Sequence, residues 1–93
     1  MINETKTDSQ IAELGRLGDR VVELYGMSLK MQKDGNGENL YAGINAILLD
    51  ATTKFYDYWG KLKSVSMSED DREKVRRITK KTEDKIQRMK QVG

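Results

Sequence analysis

The 93 residues contain no cysteine, no histidine and no proline. Without cysteine there is no disulfide framework and no thiol chemistry. With histidine missing as well, the ligand sets that usually hold zinc, copper or haem iron are absent. A general base would have to be a carboxylate, a lysine or a tyrosine. The lack of proline means that no helix is broken by a ring clash or a missing amide donor. Long apolar runs are lacking too. The longest, Ala46 to Leu49, falls far short of the roughly 20 residues that span a bilayer. Residues 1–10 are polar and hold no signal-peptide core. The expectation is a single domain over residues 1–93, cytoplasmic, with no membrane contact, no metal and no cofactor.

Charge is present but unevenly spread. Residues 1–60 carry 6 Lys and Arg against 9 Asp and Glu, a net −3, while residues 72–93 carry 9 against 3, a net +6. The apolar residues recur at helical intervals, with three segments expected at about 8–33, 38–64 and 68–91 behind a disordered tail at 1–7. In the first, Ile11, Leu14, Gly18, Val21, Tyr25 and Ser28 follow steps of three and four. Asp34-Gly35-Asn36-Gly37 then reads as a helix-ending turn, since Gly and Asn readily take the left-handed conformation. In the second, Tyr41, Ile44, Leu48, Ala51, Phe55, Tyr58, Leu62 and Val65 form one stripe. Asn45, Leu49, Thr52, Tyr56 and Trp59 form another beside it. Ser66 and Glu69 have the spacing of a capping box for the third helix. That helix has only a narrow stripe: Val75, Ile78, Thr82, Ile86 and Met89.

These stripes imply a register. If the first two helices form an antiparallel hairpin, Ile11 meets Leu62, Leu14 meets Tyr58, Gly18 meets Phe55, Val21 meets Ala51 and Tyr25 meets Leu48. Small residues then face large ones, which fills space at constant helix separation. The second stripe of helix 2 offers a seat for helix 3, with Trp59 on Val75, Tyr56 on Ile78, Thr52 on Thr82 and Leu49 on Ile86. The expected fold is an all-α, up-down-up antiparallel bundle of three helices: a long hairpin plus a basic C-terminal helix, with helix 2 in the middle. Five glycines inside these helices, Gly15, Gly18, Gly26, Gly43 and Gly60, cost roughly 1 kcal/mol each relative to Ala. Such helices need tertiary packing or a partner, and the thin third helix is the one a second chain would complete.

Few residues suggest chemistry. Asp34, Asn36 and Gly37 fit positions of a calcium-binding loop, but Gln32 and Gly43 stand where its first carboxylate and its bidentate glutamate belong. Asp50 and Asp57, two turns apart, do not make a catalytic pair, so no enzymatic activity is expected. Two surfaces remain. Leu17, Leu24, Met27, Met31, Leu40 and Ile47 have no evident place in a three-helix monomer and cluster near the glycine-rich turn, where they would form a protein-binding or self-association patch. Lys74, Arg77, Lys81, Lys85 and Arg88, broadened by Arg76 and Lys80, give helix 3 a basic face that nucleic acid could use. Acidic neighbours at Asp70, Glu73 and Asp84 would neutralise part of it, and no aromatic residue interleaves it for base stacking. The functional expectation is therefore a non-enzymatic interaction module, whether adaptor, chaperone, inhibitor or assembly subunit, with nucleic-acid binding as the alternative.

Overall fold

A computed structural model describes residues 2–34 and 38–92, with side chains described for 7–32 and 42–91. Three helices follow one another: α1 (Ile2–Asp34), α2 (Glu38–Lys63) and α3 (Glu69–Val92). The chain is all-α, a three-helix bundle. Helix α1 starts ahead of the expected residue 8, because nothing in 2–7 is a Pro or Gly that would stop it. Gly35, Asn36 and Gly37, expected as the first turn, lie outside the described residues. The cap of α3 is Ser68, not Ser66. Its Oγ accepts the Asp71 amide at 3.2 Å and its carbonyl accepts the Arg72 amide at 3.0 Å. Ser68 immediately precedes the first helical residue, where a cap must sit, and Asp71 then adds negative charge within the first turn.

The hairpin register follows the matching of small against large residues. Gly18 lies against the Phe55 ring, and the Ser28 hydroxyl donates to Asn45 Oδ1 at 2.8 Å. Both pairs continue the expected series in which facing residue numbers sum to 72 or 73. The core consists of Ile11, Leu14, Val21 and Leu24 from α1, Ala51, Phe55 and Leu62 from α2, and Val75 from α3. Ser28 is itself buried. Ser28→Ala would strip Asn45 of this partner, and the expected cost is about 1 kcal/mol in chemical denaturation. Wild-type stability in that variant would mean that the hairpin register is set by apolar packing alone.

Helix α3 corrects the expected order. It packs on α1, and among the described residues no Cα of α3 comes within 8 Å of one in α2. The central helix is therefore α1, not α2. The reason lies in the glycines. Gly15 faces Ile78, Gly18 faces Thr82 and Gly26 faces Met89, each partner 63 or 64 positions further along the chain. A constant difference marks a parallel pair, so the topology is up-down-up as expected. Residues 15, 18 and 26 fall on one side of α1, eleven residues being about three turns. At Gly18 the missing side chain is required, since an added methyl would collide with the Thr82 hydroxyl; at Gly15 and Gly26 it would make ordinary contact, at 3.9 and 3.7 Å. Helix α3 in turn presents Val75, Thr79 and Thr82 as its buried residues, and the Thr79 hydroxyl is satisfied by the carbonyls of Val75 and Arg76. Ile78 and Met89 pack over Gly15 and Gly26, while Thr82 fits against Gly18.

The outcome is an elongated body of 51 × 23 × 17 Å with a radius of gyration of 15.4 Å, against about 12 Å for a compact chain of this length. Its accessible surface is 6865 Å², about a quarter more than the roughly 5,500 Å² typical of a monomer of its mass.

Candidate functional site

Because α3 lies on α1, the second stripe of α2 is left without a covering helix. Asn45, Leu48, Leu49, Thr52, Phe55 and Tyr56 form one wall of a groove of about 370 Å³; Ile86 and Lys90 of α3 form the other, and Val21 and Tyr25 of α1 form the floor. Leu49 is 68% exposed, the most open of the large hydrophobic side chains among the described residues, and Tyr56 is 44% exposed. Nearer the α2–α3 connection the same seam opens again into a hollow of about 210 Å³ between Trp59, Leu62, Lys63 and Met67 on one side and Arg72, Val75 and Arg76 on the other. Trp59 and Val75, expected at one level, line this hollow together. The α2 wall is stiffened by its aromatics. Phe55 and Tyr56 meet edge to face at 5.3 Å between centroids, Tyr56 and Trp59 lie 5.9 Å apart, and the Lys63 ammonium sits 4.6 Å from the Trp59 ring.

Two phenols of α2 are shifted. Partial burial pushes the Tyr56 phenol above its ordinary range, and the Glu83 carboxylate adds to the shift. Tyr58 moves the same way, first through burial and then through Glu13, with Arg16 opposing. A phenol kept protonated is a hydrogen-bond donor, not a base. Asp50 is engaged by Lys54 at 3.0 Å, and Asp57 is exposed.

The residues expected to form an apolar patch divide. Leu24 is 4% exposed and belongs to the core, which corrects its placement on a surface. Leu17 is half-buried and packed against that core, and Met31 is half-buried as well. Met27 and Ile47 are exposed, and neither lines the seam. The side chain of Leu40 lies outside the described residues. Leu49 and Tyr56 are exposed as well, and these two do line the seam; their spacing is plain in the sequence, but their exposure depends on where α3 sits.

Five of the seven residues expected on the basic face of α3 border one hollow; Lys74 does not, and Arg76 lines the hollow at Trp59 instead. Arg77, Lys80, Lys81, Lys85 and Arg88, with Asp84, border a shallow surface hollow of about 340 Å³. The ion pairs of this face are not all those the spacing suggests, although three cations of α3 are engaged in either case. Glu73 holds Arg76 at 3.3 Å and Arg77 at 3.6 Å, and Lys74 pairs with Asp71 at 3.8 Å in place of Asp70. Among the described residues, Lys80, Lys81, Lys85 and Arg88 form no ion pair within 4 Å, and the Asp84–Arg88 pair is not made.

Among the described residues no helix is long and apolar enough to cross a membrane. No protein-family model, curated protein or solved structure matches the chain.

Proposed function

We propose that the protein is a non-enzymatic, cytoplasmic interaction module that receives a helix of another protein in the seam between α2 and α3. The observation that supports this reading is the exposure of Leu49 and Tyr56 on the wall of a groove along which, among the described residues, no Cα of α3 comes within 8 Å of one in α2. An apolar groove between two parallel walls, with a rigid aromatic face, is the form that accepts an amphipathic helix.

The test is a binding measurement on surface variants. Leu49→Asp and Tyr56→Asp are expected to retain wild-type helical content, because both side chains are already open to solvent. Each is expected to release a protein that co-purifies with tagged wild-type chain from lysate of the encoding cell after nuclease treatment. A partner retained in full by both variants contradicts the reading.

A second reading, nucleic-acid binding, is favoured by the cations of α3 that lack ion pairs. It ranks below the first because the hollow is lined by no aromatic residue and the chain as a whole is only +2. It requires affinity that falls steeply with salt and falls further in Lys81→Glu and Lys85→Glu.

A further inference from the structure

The rim of the seam has a sign. Of its lining residues, Lys90 stands beside the groove at Leu49, while Lys63, Arg72 and Arg76 ring the hollow at Trp59. The Glu83 carboxylate also acts on this wall, near Tyr56. Arg76 is held by Glu73 at 3.3 Å, whereas Lys63, Arg72 and Lys90 form no ion pair within 4 Å among the described residues. The seam is therefore apolar along its wall and floor and cationic at both ends. These cations are separate from the basic hollow bordered by Arg77, Lys81 and Lys85, so their purpose is not explained by nucleic-acid binding on that other face.

We infer that the partner's helix is acidic: an amphipathic helix with a leucine-type apolar stripe flanked by Glu or Asp at both ends. This inference rests on the interaction-module reading and names the chemistry of its partner. The stretch of α2 wall from Leu48 to Lys63 is about 22 Å long at 1.5 Å per residue, which sets the partner helix at roughly four turns. Its apolar stripe lies on Leu48, Leu49, Tyr56 and Trp59, and its end carboxylates meet Lys90 at one end and Arg72 with Lys63 at the other. A basic helix would set like charges against these cations as they lose water, which is costly. The same argument disfavours α3 of a second copy, since residues 72–93 carry a net +6.

The experiment uses the full chain and two synthetic 18-residue helical peptides with the same leucine stripe, one flanked by Glu and one by Lys. Binding is read from the emission of Trp59, the single tryptophan, which lines the seam. The Glu peptide is expected to bind at least tenfold more tightly than the Lys peptide at low salt. Both are expected to weaken in Leu49→Asp, and the triple variant Arg72→Glu, Arg76→Glu, Lys90→Glu is expected to reverse the preference. Its three positions are exposed, and an unchanged circular-dichroism melt would establish that it still folds. Equal affinity for the two peptides, lost in Leu49→Asp, overturns the charge assignment and leaves the interaction reading standing. Failure of both peptides with a chain that sediments as a dimer through Leu49 assigns the seam to a second copy and overturns the inference. Failure of both with a monomeric chain, or binding indifferent to Leu49→Asp, overturns both.

Discussion

Leu24→Asp is expected to unfold the protein, whereas Ile47→Asp, a like substitution on the neighbouring helix, is expected to leave its melt almost unchanged. Leu24 is 4% exposed among Leu14, Val21 and Phe55, while Ile47 is 47% exposed. Truncating a buried leucine costs about 2–5 kcal/mol, and the new carboxylate must also lose its water or its charge. A total of at least about 4 kcal/mol is a large part of the 5–15 kcal/mol that holds an ordinary domain together. The core here is thin, with eight buried apolar residues among those described, so the loss removes the folded state at 37 °C. Exposed substitutions such as Ile47→Asp usually lie within about 0.5 kcal/mol of neutral. Circular dichroism at increasing temperature checks both. A wild-type melt for Leu24→Asp would place that residue on a surface and break the hairpin register.

The second large effect separates glycines that look alike in the sequence. A methyl group at Gly18 would collide with the Thr82 hydroxyl and press on the Phe55 ring at 3.1 Å. Thr82 is β-branched and 5% exposed, so it has little freedom to turn aside. The helix-propensity gain of about 1 kcal/mol from Gly to Ala is then outweighed by overpacking of about 1–3 kcal/mol. Gly18→Ala is expected to lose about 1 kcal/mol net, and Gly18→Val about 3 kcal/mol. Gly43 and Gly60 have no heavy atom within 4 Å of an added methyl. Gly43→Ala and Gly60→Ala are therefore expected to stabilise by about 0.5–1 kcal/mol each. Adding Thr82→Ala to Gly18→Ala should recover part of the loss, a coupling that a double-mutant cycle in chemical denaturation measures. Additive effects at 18 and 82 would mean that α3 does not seat there.

The hairpin was legible because it is written in size as well as hydrophobicity: Gly18 opposite Phe55 and Val21 opposite Ala51 admit one register. The place of α3 was not, for a physical reason. An apolar stripe announces itself in a hydrophobic pattern, as Leu49, Tyr56 and Trp59 do. A face made of Gly15, Gly18 and Gly26 announces nothing, although α3 packs on it and Gly18 has no room for a side chain. Read as a cost alone, those glycines hid the α1–α3 contact, and the aromatic stripe of α2 took the third helix in their place. The candidate site inherits that difference. Its residues were visible as a stripe, but their openness exists only because α3 sits elsewhere. Leu24 was misplaced because the core-facing arc of α1 is wide, taking in Leu14, Val21, Leu24 and Ser28 together.

The most direct test of the account is a nuclear Overhauser spectrum of the isotope-labelled chain. The account predicts strong contacts from the α-protons of Gly15 to Ile78, Gly18 to Thr82 and Gly26 to Met89, with the Leu49 methyls free of core-strength contacts to α3. Core-strength contacts between Leu49 and Ile86, with no contact from Gly18 to Thr82, would close the seam, make α2 the central helix and contradict it.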